Sequence, residues 1–189
     1  MDTNTLIVVA VVVLIVVAIV AFALNKARRT AHLKSNFGPE YDRAVEESDN
    51  ARHARAELRE REKRVRSFDI HPLDAGDRSR FIAAWTQVQS EFVDDPRAAV
   101  SHADDLLADV MAARGYPVSD FDQRSADLSV DHPVVVQNYR SGHDIFLKHK
   151  RGDAGTEDLR QAMIHYRALF EDLTKTDLDP PPVRERIRA

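Results

Sequence analysis

Nineteen consecutive uncharged positions, Leu6 to Leu24 (LIVVAVVVLIVVAIVAFAL), set the start of the chain apart from everything after it. A helix needs about 20 mainly apolar residues to cross a hydrocarbon core ~30 Å thick, and packed helices of water-exposed domains instead alternate apolar and polar faces. The pattern predicts a single transmembrane helix within residues 1–25. Val and Ile dominate the run, with no Gly, polar or ionisable side chain inside it. An anchor fits this composition; a channel or transporter, which needs polar groups at membrane depth, does not.

Residues 26–67 are rich in charge. Lys26, Arg28, Arg29 and Lys34 form a basic collar directly after the apolar run. From Gly38-Pro39 to about Ser67 the chain predicts a charged spacer helix, since Pro suits a first helical turn and Ala44, Ala51, Leu58 and Val65 recur every seventh residue. The companion heptad positions are Glu47, Ala54 and Arg61, or Ser48, Arg55 and Glu62, so a two-stranded coiled coil lacks its second apolar row. Straight, such a helix spans roughly 40 Å at 1.5 Å per residue; alternatively it folds back on the body.

At Phe68 the apolar residues become bulky and fall at helical spacing, which marks a packed domain over residues 68–173. Asp74 and Asp77 open a helix carrying Phe81, Trp85, Val88 and Phe92 on one face. Asp95-Pro96 opens the next, with Val100, Ala103, Leu107, Val110 and Met111 inward until Gly115-Tyr116-Pro117 stops it. Ser119 and Asp122 start a short helical turn ending near Ser129. Asp131-His132-Pro133 begins a further helix with Val135, Val136, Tyr139 and Phe146 inward, interrupted at Gly142 and ended by Arg151-Gly152. Thr156 caps the last, whose stripe is Leu159, Met163, Tyr166, Phe170 and Leu173 beside Ala162 and Leu169. No stretch beyond the anchor alternates with period two. The expected fold is all-α: the anchor, the spacer helix, and a small bundle of about four helices. Residues 174–189, with Asp179-Pro180-Pro181-Pro182 and an Arg-rich end, read as a disordered tail.

Charge alters the picture. The collar carries four positive charges, Pro39 to Arg66 carries eight of each sign, and Ser67 to Leu173 carries 11 basic against 19 acidic residues. Basic flanks stay cytoplasmic, so the chain is expected to sit N-out and C-in at a bacterial plasma membrane. The competing reading is a cleaved secretory signal, for which Ala21-Phe22-Ala23 offers a small-residue motif. Against it stand the missing basic n-region and the positive charges just past the cut. An acidic body disfavours nucleic-acid binding. There is no Cys, which removes disulfides, thiol nucleophiles, thiolate metal sites and lipoprotein anchoring together.

Chemistry is sparse. No phosphate loop, dinucleotide fingerprint or serine elbow occurs. None of the eight His has Asp or Glu three positions before it and no two are four apart, so no metal and no cofactor is expected. The densest polar constellation joins Gln123, Arg124, Asp127, Asp131 and His132, with His143 and Asp144 one helix on. There His132 or His143 would act as a general base oriented by a carboxylate, with Arg124 holding an anion. The plainer alternative has Asp131 capping a helix and Arg124 pairing locally with Asp127 or Asp120. Trp85, Met163, Tyr166 and Phe170 have the spacing of core, and His102 and His165 that of helix surfaces.

The stretches Phe92-Val93-Asp94-Asp95-Pro96, Arg114-Gly115-Tyr116-Pro117-Val118, Gln123 to Pro133 (QRSADLSVDHP) and Thr156 to Met163 (TEDLRQAM) resemble a family of uncharacterised bacterial membrane and secreted proteins of actinobacterial type. The likeness covers about Asp69 to Leu173. It implies a bacterial origin and supplies no activity and no catalytic residue.

The residues together point to a non-enzymatic, membrane-anchored helical module for protein interaction or scaffolding, with an unidentified protein partner. Two alternatives differ in kind. One is a self-associating stalk, a homo-oligomer built on Ala44, Ala51, Leu58 and Val65. The other is an enzyme or metal protein using Arg124, Asp131, His132 and His143.

Overall fold

At Asn50, Asp74, Asp95 and Asp120, helix starts coincide with short polar side chains that satisfy free backbone N–H groups. The computed structural model describes residues 3–48 and 50–175, with side chains from residue 12 onward. Its elements are α1 (Thr3–Phe37), α2 (Pro39–Glu47), α3 (Ala51–Val65), α4 (Ala75–Asp94), α5 (Pro96–Ala113), α6 (Phe121–Asp131), α7 (Val136–Lys150) and α8 (Thr156–Leu173). No strand occurs among the described residues, so the all-α expectation holds. Asp74 accepts from the N–H of Asp77, Asp95 from those of Arg97 and Ala98, and Asp120 from that of Gln123. Each such cap contributes about 1 kcal/mol.

α4, α5, α7 and α8 form the expected bundle: α5 packs on α4 and α8, and α8 packs on α7. Its core holds the residues the apolar spacing selected, among them Phe81, Trp85, Leu107, Met111, Tyr139, Tyr166 and Leu169. Trp85 stacks on Phe170 with ring centroids 4.7 Å apart.

Four local expectations change. The turn after Ser119 is a full helix, capped by Asp120, whose Ser125, Asp127, Leu128, Ser129 and Val130 are all buried. α7 begins at Val136, after a turn over 133–135, so Asp131 does not cap it. Gly142 does not interrupt α7 either: a Cβ there would lie 2.6 Å from the Tyr166 ring, so its missing side chain lets α8 approach. At the start of α8 the cap position is Gly155, and Asp158 accepts from its N–H.

The charged spacer is two helices. Asn50 accepts from the N–H of Arg52 and starts α3 afresh, and the chain doubles back so that Tyr41 meets Arg55 and Glu40 meets Arg61. A second core forms there from Leu33, Phe37, Tyr41, Ala44, Ala54, Leu58, Val65 and Val130. The partly buried Phe68 and Ile70 touch both cores. The Ala44, Leu58 and Val65 stripe thus packs on the chain's own α1 and α6, where a stalk would need it free.

Among the described residues no helix is long and apolar enough to cross a membrane. The portion of the apolar run with described side chains, Val12 to Leu24, is thirteen residues. The transmembrane expectation therefore rests on the sequence run and is not carried by the described part. The Pro- and Arg-rich tail falls on residues 176–189, outside those described.

Candidate functional site

The constellation nominated from sequence divides between different partners. His132 pairs through Nδ1 with the Asp172 carboxylate on α8, and Asp131 accepts from the Tyr116 hydroxyl at 3.1 Å. Burial would raise the Asp172 carboxyl, but His132 and Lys175 outweigh it and hold it at about 2. His143 instead faces Asp104 on α5, Nδ1 to Oδ1 3.6 Å, too long for a hydrogen bond. Arg124 contributes its charge to this second group. Gln123 and Arg64 both donate to Asp127, whose buried carboxyl is nevertheless pushed up because burial outweighs them.

Asp104 lies at the centre of the second group. It accepts from the Tyr166 hydroxyl at 2.9 Å, and the His143 ring stacks face to face on Phe121 at 3.6 Å. Burial acts to raise the Asp104 carboxyl; Tyr166 and His143 prevail and lower it. Burial and the Asp104 charge drive the Tyr166 and Tyr139 hydroxyls upward. A carboxylate held below its ordinary range is a weak base near neutral pH, and a tyrosine held above its own is a weak acid. The chemistry of this group is that of a polar tie between α5, α7 and α8. Among the described residues no group of three or more His, Asp or Glu is arranged to hold a metal ion.

The most concentrated electrostatics lie elsewhere, at Glu40 in the first turn of α2. This carboxylate is fully buried. Oε1 accepts from Arg43, Arg61 and Arg140 at 2.8, 2.9 and 2.9 Å. Oε2 accepts from Arg43, Arg140 and Gln137 at 2.9, 2.6 and 3.1 Å. Burial pushes its pKa up, but the hydrogen bonds and charges of Arg43 and Arg140 reverse this and hold it at about 2. Glu57 on Arg61 and Glu47 on Arg43 bring the cluster to three carboxylates for three guanidiniums. One buried anion thereby joins α2, α3 and α7. A lone Glu after Pro39 reads in sequence as an ordinary first-turn acid, so no local signal distinguished it.

A second feature absent from the sequence reading is a cleft of about 460 Å³ between α1 and the first half of α3. Lys26 and Arg29 line it from α1, and Arg52, Arg55 and Arg59 from α3, with no carboxylate in the lining among the described residues. The collar supplied one wall in sequence; the other wall becomes visible only once α3 folds back. No protein-family model, curated protein or solved structure matches the chain.

Proposed function

We propose that the chain is a non-enzymatic, single-pass membrane-anchored module. Its helical body stands at the cytoplasmic face of a bacterial plasma membrane and serves protein interaction or scaffolding there. The observation that carries the reading is the continuity of α1. The same helix that contains the apolar run extends to Leu33 and Phe37, which are 2% and 0% exposed in the second core. An anchor joined this way fixes the body's distance and orientation, as a flexible tether would not. The Leu6 to Leu24 run and the basic residues after it support the membrane assignment and the N-out, C-in orientation. The Glu40 cluster supports rigidity by locking the membrane-proximal hairpin to the bundle.

The test is alkaline extraction of membranes from cells expressing the full chain with a carboxyl-terminal tag, combined with protease treatment of spheroplasts. Retention in the pellet with a protected tag is expected. Release by alkali, or a secreted chain lacking its first two dozen residues, overturns the reading.

A further inference from the structure

We propose that the cleft between α1 and α3 binds the phosphate head group of an anionic phospholipid. The inference rests on the membrane-anchored reading above and adds to it a lipid-specific site.

Three observations converge. The first is charge. Among the described residues the lining holds five cations and no carboxylate, and no ion pair engages Lys26, Arg29, Arg52 or Arg59. Arg43, Arg61 and Arg140, in the neighbouring cluster, all bind carboxylates. Arg55 turns its Nε to the Tyr41 hydroxyl at 2.9 Å, which orients the guanidinium at the cleft wall. Unpaired cations held close together repel one another, and a phosphate between them removes that cost.

The second observation is depth. Lys26 and Arg29 follow Leu24 by two and five residues. At 1.5 Å per residue they lie about 3 and 8 Å beyond the end of the apolar run. A head-group layer is about 5–8 Å thick on each side of the hydrocarbon core, so the two charges fall within it.

The third is polarity. Phe22, at the end of the apolar run, is 73% exposed and lines the same cleft as the cations. Phe22, Lys26, Arg29 and Leu33 succeed one another at spacings of four, three and four and so share one face of α1. A head group among the cations leaves its acyl chains to continue along that face past Phe22. Asn50 and Ala51, at the start of α3, also line the cleft, and their helix end favours an anion further. A free phosphate shares the anionic chemistry but uses none of the apolar wall, which is why the lipid is the favoured source.

The experiment is native mass spectrometry of the full chain in a neutral detergent, titrated separately with phosphatidylglycerol and phosphatidylcholine. One phosphatidylglycerol should be retained at least tenfold more tightly than phosphatidylcholine. Each of Arg29→Gln, Arg52→Gln and Arg59→Gln should weaken it about fivefold and the triple variant about 100-fold, at roughly one surface charge's contribution apiece. Arg160→Gln, exposed on α8, should leave it unchanged. Equal retention of the two lipids, or a preference that survives in the triple variant, overturns the assignment. Displacement by inorganic phosphate at the lipid's own concentration reassigns the cleft to a free anion and overturns the lipid. Alkaline extraction of the same wild-type protein is read independently. Release there fails the anchor, whereas firm retention without head-group preference fails the cleft alone.

Discussion

Glu40 and Arg140, one hundred residues apart in sequence, form a two-toothed ion pair with N–O distances of 2.6 and 2.9 Å around a fully buried carboxylate. Removing one member of a buried pair leaves the other uncompensated, which costs about 3–5 kcal/mol. Glu40→Ala strands the Arg140 guanidinium and takes a partner from Arg43 and Arg61, which keep Glu47 and Glu57, and should fall in this range. For a domain of this size the melting temperature should drop by roughly 10 °C. Arg140→Gln should cost less, because Arg43, Arg61 and Gln137 still reach Glu40. The double variant Glu40→Ala/Arg140→Gln should be more stable than the sum of the single effects, measured by urea melts of the full chain in detergent. Strict additivity would show that the pair is not coupled.

The same carboxylate makes stability depend on acid. Its pKa is held at about 2 against an ordinary 4.5. A depressed carboxylate contributes stability that is present above the unfolded pKa and lost as pH falls through the folded one. Glu40 therefore adds about 3 kcal/mol near neutrality, lost progressively between pH 4.5 and 2. Asp172, held at about 2 against an ordinary 3.8, adds to the loss in the lower part of that window. Urea midpoints from pH 7 to pH 2.5 should decline mainly below pH 4.5, and Glu40→Gln should flatten the decline.

Two buried tyrosines should respond oppositely to loss of their hydroxyls. Tyr166 donates to Asp104, whereas the buried Tyr139 hydroxyl meets no partner among the described residues. Tyr166→Phe leaves a buried carboxylate short of a donor and should cost about 1–3 kcal/mol. Tyr139→Phe removes an unsatisfied group and should be neutral or stabilising. Thermal melts of the two variants decide this; equal losses would mean that the Tyr139 hydroxyl is satisfied in solution.

How much of this was legible beforehand depended on how local the signal was. Asp74, Asp95-Pro96 and the Phe81 and Leu159 stripes announce their helices because caps and 3.6-residue spacing act within a few turns. The break at Asn50 went unread because alternating charge on both sides of it is compatible with one long helix. Asp131 stands where a cap ahead of Pro133 is expected, yet its carboxylate accepts from Tyr116, fifteen residues earlier. His132 and His143 stand beside carboxylates, but those partners, Asp172 and Asp104, lie 40 and 39 residues away in sequence. The Glu40 cluster and the basic cleft are tertiary by construction. Each needs α3 folded back before its members meet.

Glycine substitutions should rank by what a Cβ would strike. At Gly152 φ is +85° with open space, so Ala pays only left-handed strain, about 1 kcal/mol. At Gly142 the obstacle is the buried Tyr166 ring at 2.6 Å, and overpacking of about 1–3 kcal/mol exceeds the ~1 kcal/mol gained from helix propensity. At Gly115 φ is +90° and the Asp69 carbonyl oxygen would lie 2.1 Å away, so backbone must move. Gly115→Ala should be the most destabilising of the three in parallel melts. A Gly142→Ala variant more stable than wild type would show that α7 and α8 separate at little cost.

Leu58 separates an internal role for the hairpin stripe from a stalk. It is fully buried in the second core, with Leu33 and Phe37 of α1 in the same cluster. A residue used inside the chain loses stability when truncated, whereas one used between chains loses association. Leu58→Ala should therefore cost about 2–5 kcal/mol through lost burial and the cavity left behind. The sedimentation coefficient of the full chain in detergent should stay at its wild-type value. If truncation left the melting curve in place but halved the sedimenting mass, the stripe would belong to an interface between copies. The buried packing of Ala44 and Val65 beside it would then have to open for the chains to meet.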